Sequence, residues 1–146
     1  LYQGNDVETL DIGVYVEHVC KDLNNAVSQL DVQVDAEHGI TVATDRAISS
    51  ALIVSELLTN AAKYAYKEQP GGRIWVAVAR SPENKVVLSV RDEGPGLPDD
   101  FDYQNAKGLG MRIITAFSQQ LNGHVAVNST SAGSEFVLTI PIDDDR

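Results

Sequence analysis

Glu56, Asn60, Lys63 and Lys67 lie in the stretch ALIVSELLTNAAKYAYKEQP. At a helical spacing of about 100° per residue they share a sector of about 60°. Leu57, Leu58, Ala61, Ala62 and Ala65 fall on the other side. A carboxylate, an amide oxygen and two ammonium groups on one stripe suit a metal–phosphate group. Asn60 can offer an oxygen to Mg2+, Glu56 can hold a metal-bound water or a proton, and Lys63 can meet phosphate. The plainer account is the solvated face of an amphipathic helix. Against it, asparagine inside a helix competes for the backbone and is a mediocre helix former.

Three further stretches carry chemistry. In RDEGPGLP, Asp92 follows the alternating run KVVLSV, so a sheet can fix its side chain. Ionised, it only accepts hydrogen bonds, which matches the exocyclic amine of adenine and opposes the oxygen of guanine. Gly94 and Gly96 let the backbone approach a flat ligand, while Pro95 and Pro98 stiffen the turn. A loop with two surface acids and turn formers is the plainer account. KGLGMRI sets Lys107, Gly108 and Gly110 at a helix start, where free amides and the dipole favour an anion. It lacks the third glycine of the dinucleotide fingerprint, and glycine-rich helix starts are common without a ligand. Gly133 and Ser134 in SAGSEF open the last strand, where a hairpin turn accounts for them.

The elements that must position these residues follow from periodicity. Residues 1–10 read as a connector from an upstream domain. Ile12, Val16, Val19, Leu23 and Val27 recur at helical spacing, predicting a helix from Asp11 to about Leu30. VQVDA and ITVAT flank EHG and predict a short hairpin. Asp45 is the expected cap of a second helix reaching about Tyr66, which EQPGG stops. RIWVAVAR and KVVLSV predict strands joined by SPEN. A third helix over GLGMRIITAFSQQL ends before Gly123, where a left-handed cap favours glycine. HVAVNST and SEFVLTIPI predict a closing hairpin, and residues 143–146 a frayed tail. Strands pair locally with helices between the pairs. The expected architecture is an α+β two-layer sandwich, with one mixed, mostly antiparallel sheet covered on one face by helices and a single domain over 11–142.

Composition narrows the classes. The chain has 146 residues, 43% of them apolar and 22% charged, which fits a folded domain with a real core. A formal charge of −10 argues against non-specific nucleic-acid binding, yet a local nest of amides can still hold a phosphate. No apolar run has the length of a membrane span, so no membrane contact is expected. The lone cysteine, Cys20, excludes an internal disulfide and a cysteine-built zinc site, and makes a reducing cytoplasm the expected compartment. His18, His38 and His124 show no metal-ligand spacing. The chain opens on Leu1 and its only methionine is Met111, so a fragment is expected.

In their order and spacing, the four stretches resemble the ATP-binding domain of the GHKL (Bergerat-fold) superfamily, shared by sensor histidine kinases, gyrase-type ATPases and certain anti-sigma serine kinases. ELLTNAAKYA is similar to the N box, DEGPG to the first glycine box and GLGMRI to the second. GSEF is similar to the usual Gly-Thr-x-Phe, with Ser in place of Thr. The resemblance covers residues 45–141. GGRIWVAV, VVLSVRDEGPGLP and QQLNGHVAVNST look like the sensor histidine kinases that pair this domain with a distinctive dimerising histidine domain.

The resemblance implies ATP and Mg2+ as cofactors. Asn60 resembles the Mg2+ ligand, Lys63 the phosphate contact and Asp92 the adenine selector. Gly94 and Gly96 shape the base pocket, and Gly108 and Gly110 hinge the lid segment that precedes them and meet phosphates. Tyr64, Lys107, Leu109 and Ser134 complete the nucleotide contacts, and Glu56 matches the acid that activates water in hydrolytic relatives. The implied partners are a histidine phosphoacceptor and dimerisation domain of the same protein and a downstream response regulator. The acceptor is expected elsewhere, since VEHVCKD around His18 lacks its context, and the fragment alone is not expected to autophosphorylate. The alternatives are an anti-sigma serine kinase and a non-catalytic nucleotide-sensing module. PDDFDYQNAK, polar and poor in packing residues, is expected to be mobile without nucleotide.

Overall fold

The computed structural model describes residues 8–26, 30–62, 72–94 and 109–143. Within them the chain runs β1 (Thr9–Asp11), α1 (Ile12–Ala26), β2 (Leu30–Ala36), β3 (Thr41–Ala43), α2 (Thr44–Asn60), β4 (Gly72–Arg80), β5 (Lys85–Asp92), α3 (Leu109–Gln120), β6 (His124–Thr130) and β7 (Gly133–Pro141). Five strands form a sheet in the order β2-β4-β5-β7-β6. β2 and β4 are parallel, and the other neighbours are antiparallel.

Strand alternation decides the layers. Ile74, Val76 and Val78 of β4, Val86, Leu88 and Val90 of β5, and Leu138 and Ile140 of β7 are buried. They share one core with Ile12 and Val16 of α1, Ile53, Val54, Leu57 and Leu58 of α2, and Ile114 of α3. The intervening residues stay partly exposed, so the helices cover one face, as the pattern predicts. On the other face Arg91 stacks its guanidinium 4.0 Å from the centroid of the Trp75 ring.

The expected hairpin around EHG does not form. β2 pairs with β4, while β3 pairs antiparallel with β1. The chain turns away where Gly39 takes φ +92°. Its amide is held by Asp11 Oδ2 at 2.7 Å, and the Ile12 amide donates to the Ile40 carbonyl at 2.9 Å. These anchors pull Thr41 toward β1 and leave β2 to lay its half-buried Val32, Val34 and Ala36 along β4. β1 also means that the fold begins within the expected connector.

Three helix ends differ from expectation. α1 runs Ile12–Ala26 and Leu30 opens β2, so that helix does not reach Leu30. α2 starts at Thr44 with no side-chain cap, so Asp45 lies in the first turn, where its charge faces the positive end of the dipole. After α3 the left-handed residue is Asn122 (φ 56°), while Gly123 donates its amide back to the Ser118 carbonyl at 2.8 Å. Gly123 is small for another reason: a Cβ there would lie 2.7 Å from Ile140 Cγ2. The expected end of the second helix near Tyr66 lies outside the described residues. The SPEN turn and the closing β6–β7 hairpin form as predicted.

Candidate functional site

Alternation along β5 places Asp92 on the same face as Val86, Leu88 and Val90, at the strand's end and only 8% exposed. A carboxylate there must be hydrogen-bonded to be tolerated. Asp92 Oδ1 accepts from the Gly94 amide at 2.9 Å and the Ser134 amide at 3.3 Å. Oδ2 accepts the Ser134 hydroxyl at 2.9 Å. A carboxylate offers about four acceptor positions. Among the described residues these bonds fill both at Oδ1 and one at Oδ2, which leaves Oδ2 one further acceptor position.

The hairpin that supplies Ser134 can come this close because of its glycine. Gly133 has φ +147°, and a Cβ on it would sit 2.1 Å from the Asp92 carbonyl oxygen. The Gly-Ser pair therefore opens β7, as the turn reading expects, and also locks Asp92. A hollow of about 260 Å³ borders this cluster toward Arg91, Asn128 and Glu135. The register aligns those three in one row across the helix-free face. Asn60 and its neighbours belong to the helix side, so this hollow is not where a phosphate group would meet them.

The second group sits at the end of α2. Glu56 and Asn60, one turn apart, are half-buried above Leu57, Leu58 and Ala61, which are buried in the core. Asn60 Nδ2 donates to Met111 Sδ at 3.2 Å. The thioether has no proton to give, so the amide nitrogen faces it and Oδ1 turns away. An amide oxygen with no hydrogen-bond donor among the described residues is suited to a hard cation such as Mg2+, and on that chemistry Asn60 fits the expected metal. Sequence reasoning passed over Met111, and only its place directly after Gly110 in GLGMRI could have drawn attention to it.

Asp92, Gly94 and Ser134 are thus brought together, and Asn60 is tied to the first turn of α3, which contains Leu109 and Gly110. Lys63, Tyr64, Gly96, Lys107 and Gly108 lie outside the described residues, as does PDDFDYQNAK. Among the described residues no group of three or more His, Cys, Asp or Glu could hold a metal. His38 pairs with Glu17 at 2.9 Å, and His18 and His124 are exposed. Cys20 is fully buried, which pushes its thiol up to about 12, the state of a packing residue rather than a nucleophile. No helix among the described residues is long and apolar enough to cross a membrane.

The histidine kinase-, DNA gyrase B-, and HSP90-like ATPase family matches residues 46–144, and the chain belongs to it. Within that family its relatives include sensor kinases. Over its whole length the chain is 25% identical to blue-light-activated histidine kinase 2 of Erythrobacter litoralis, of which it covers 45%. The solved histidine kinase domain of a blue-light-activated kinase from the same organism superposes with a TM-score of 0.83 at 27% identity, over 91% of this chain and 62% of that one. An anti-sigma F factor of Heyndrickxia coagulans is 38% identical over 38% of this chain and 37% of its own. The chain therefore spans less than half of the first curated relative.

Proposed function

We propose that this chain is the ATP-binding catalytic domain of a sensor histidine kinase, handing the γ-phosphoryl group of ATP to a histidine on a separate dimerisation domain. The observation that carries the reading is Asp92: buried, pinned by Ser134 and Gly94, and with one acceptor position left at Oδ2. That position suits the exocyclic amine of adenine and rejects the carbonyl of guanine. Asn60 would hold Mg2+ through its free oxygen, and the ion when bound neutralises phosphate charge. Lys63 would meet the phosphates, with Tyr64, Gly94, Gly96, Lys107, Gly108, Leu109 and Gly110 completing the nucleotide contacts. Glu56, one turn before Asn60, would orient a proton or a water. Phosphoryl transfer asks mainly for such positioning and charge neutralisation. As the nitrogen–phosphorus bond to the acceptor imidazole forms, the bond from γ-phosphorus to the β-bridging oxygen breaks and ADP leaves. A cytoplasmic setting and a downstream response regulator follow from the same reading.

The anti-sigma F factor match supports a second reading, transfer to a serine of an antagonist protein. Incubation with labelled ATP and, in parallel, a separately prepared dimerising histidine domain or an anti-sigma antagonist protein tests both. Acid-labile label on that domain supports the histidine kinase. Acid-stable label on a serine of an antagonist supports the second reading, and adenine-selective binding without transfer to either partner supports a sensing module. The domain alone is expected to bind ATP and take up no label. Acid-labile label on it alone would refute that division of labour.

A further inference from the structure

We infer that Met111 is a positioning residue that sets the orientation of the Asn60 amide, and through it the metal dependence of nucleotide binding. The inference rests on the proposed metal role of Asn60. A carboxamide can sit in its site in two ways, differing by exchange of nitrogen and oxygen. Against a thioether only one of them makes a hydrogen bond, because sulfur and amide oxygen are both acceptors. The 3.2 Å contact to Sδ therefore selects nitrogen inward and oxygen outward. The opposite orientation would present an N–H pair to a cation and set two acceptors against each other.

Packing alone does not call for sulfur here. Met111 is 8% exposed and belongs to the same core as Leu57, Leu58, Ala61 and Ile114, where a leucine of similar volume would serve. Only the thioether adds an acceptor. It is delivered from α3, whose first turn is tied by the Thr115 hydroxyl donating to the Met111 carbonyl at 3.0 Å. The residue expected to hold the metal is thus oriented by a helix other than its own. Displacing the start of α3 would free the amide to turn.

The test compares affinity for a non-hydrolysable ATP analogue with and without Mg2+ in the wild type, Met111→Leu and Asn60→Ala, and follows the Asn60 side-chain amide by NMR. Met111→Leu is expected to bind the analogue without Mg2+ as the wild type does, to lose about three- to ten-fold of the gain that Mg2+ brings, and to shift the Asn60 amide signals. Norleucine in place of Met111, the chain's one methionine, exchanges only sulfur for methylene and covers the case in which leucine disturbs folding. If Asn60→Ala loses the Mg2+ gain and both Met111 replacements keep it, Met111 does not position Asn60 and the metal reading survives. If Asn60→Ala keeps the gain, the metal reading fails and this inference fails with it.

Discussion

Asp92→Asn separates what this side chain does for the fold from the role in nucleotide binding proposed for it. The new Oδ1 can accept from the Gly94 and Ser134 amides as the carboxylate does at 2.9 and 3.3 Å. Nδ2 then faces the Ser134 hydroxyl, which rotates from donor to acceptor and keeps the 2.9 Å contact. Every internal hydrogen bond survives, so the stability change stays within about 1 kcal/mol. The position facing the ligand changes sign, from an anionic acceptor to a neutral donor. A hydrogen bond to a charged group contributes about 1.5–3 kcal/mol, so ATP-analogue affinity should fall about ten- to a hundred-fold. Guanine, which presents an oxygen at that place, should gain relative to adenine. Calorimetric titration with ATP and GTP analogues, beside urea denaturation of both proteins, reads all three quantities. An Asp92→Asn variant as stable as the wild type that binds the ATP analogue within about three-fold of it would refute the assignment of Asp92 to the base.

The other expectations test the supports of the site. Ser134→Ala strips Oδ2 of its hydroxyl donor and should destabilise the domain by about 1–3 kcal/mol, lowering its melting temperature by about 2–4 °C for each kcal/mol; Ser134→Thr should restore it, and an unchanged melting curve for the alanine variant counts against the contact. Gly133→Ala meets both a disfavoured φ and the Asp92 carbonyl, so a loss above about 1 kcal/mol should appear in urea melts and be larger than for Gly39→Ala, which has open space around it. Cys20, with its thiol pushed up to about 12 by burial, should react with a thiol reagent at pH 8 only at the rate of unfolding, so fast labelling of the native protein would overturn its placement. Partial burial pushes the Asp11 carboxyl up, but amides of Gly39, Val14 and Gly13 and the charge of His38 outweigh it, and the group settles below its ordinary 3.8. Its contribution is present above that value and lost as pH falls through the lower folded one, so the stability gap between wild type and Asp11→Asn should close on acidification from pH 5 to pH 2.

Much of this was legible because period and chemistry coincide. Ile74, Val76 and Val78 alternate cleanly with half-exposed neighbours, and Leu57, Leu58 and Ala61 mark a helix face, so layers and element order could be read directly. Asp92 stood out because an alternating run ended in a carboxylate followed at once by Gly94, Pro95 and Gly96; that it lies on the buried face appears only in the structure. What could not be read depends on contacts far apart in the chain. The fate of β3 is settled by Asp11 reaching Gly39, a long-range choice that two short apolar runs around a glycine do not encode. The cap after α3 moved by one residue because Gly123 answers to Ile140 across the core rather than to local dihedral preference. Met111 drew no notice as a contact because its sulfur matters only once Asn60 is beside it.

The place of β7 in the sheet has a consequence for how the protein comes into being. β7 lies between β5 and β6, and Ser134 follows Asp92 by 42 residues. At about 5–20 residues per second, a ribosome needs about 2–8 s to cover that distance. Throughout that interval β5 can pair with β4 but leaves the backbone amides and carbonyls of its other edge open to any strand nearby. The half-made chain is therefore at its stickiest just after Asp92 has emerged, and that carboxylate has only the Gly94 amide for a partner until the hairpin brings Ser134. Changes that slow docking of the hairpin should show first as poor soluble yield and chaperone dependence, even where the protein that does mature binds its nucleotide normally.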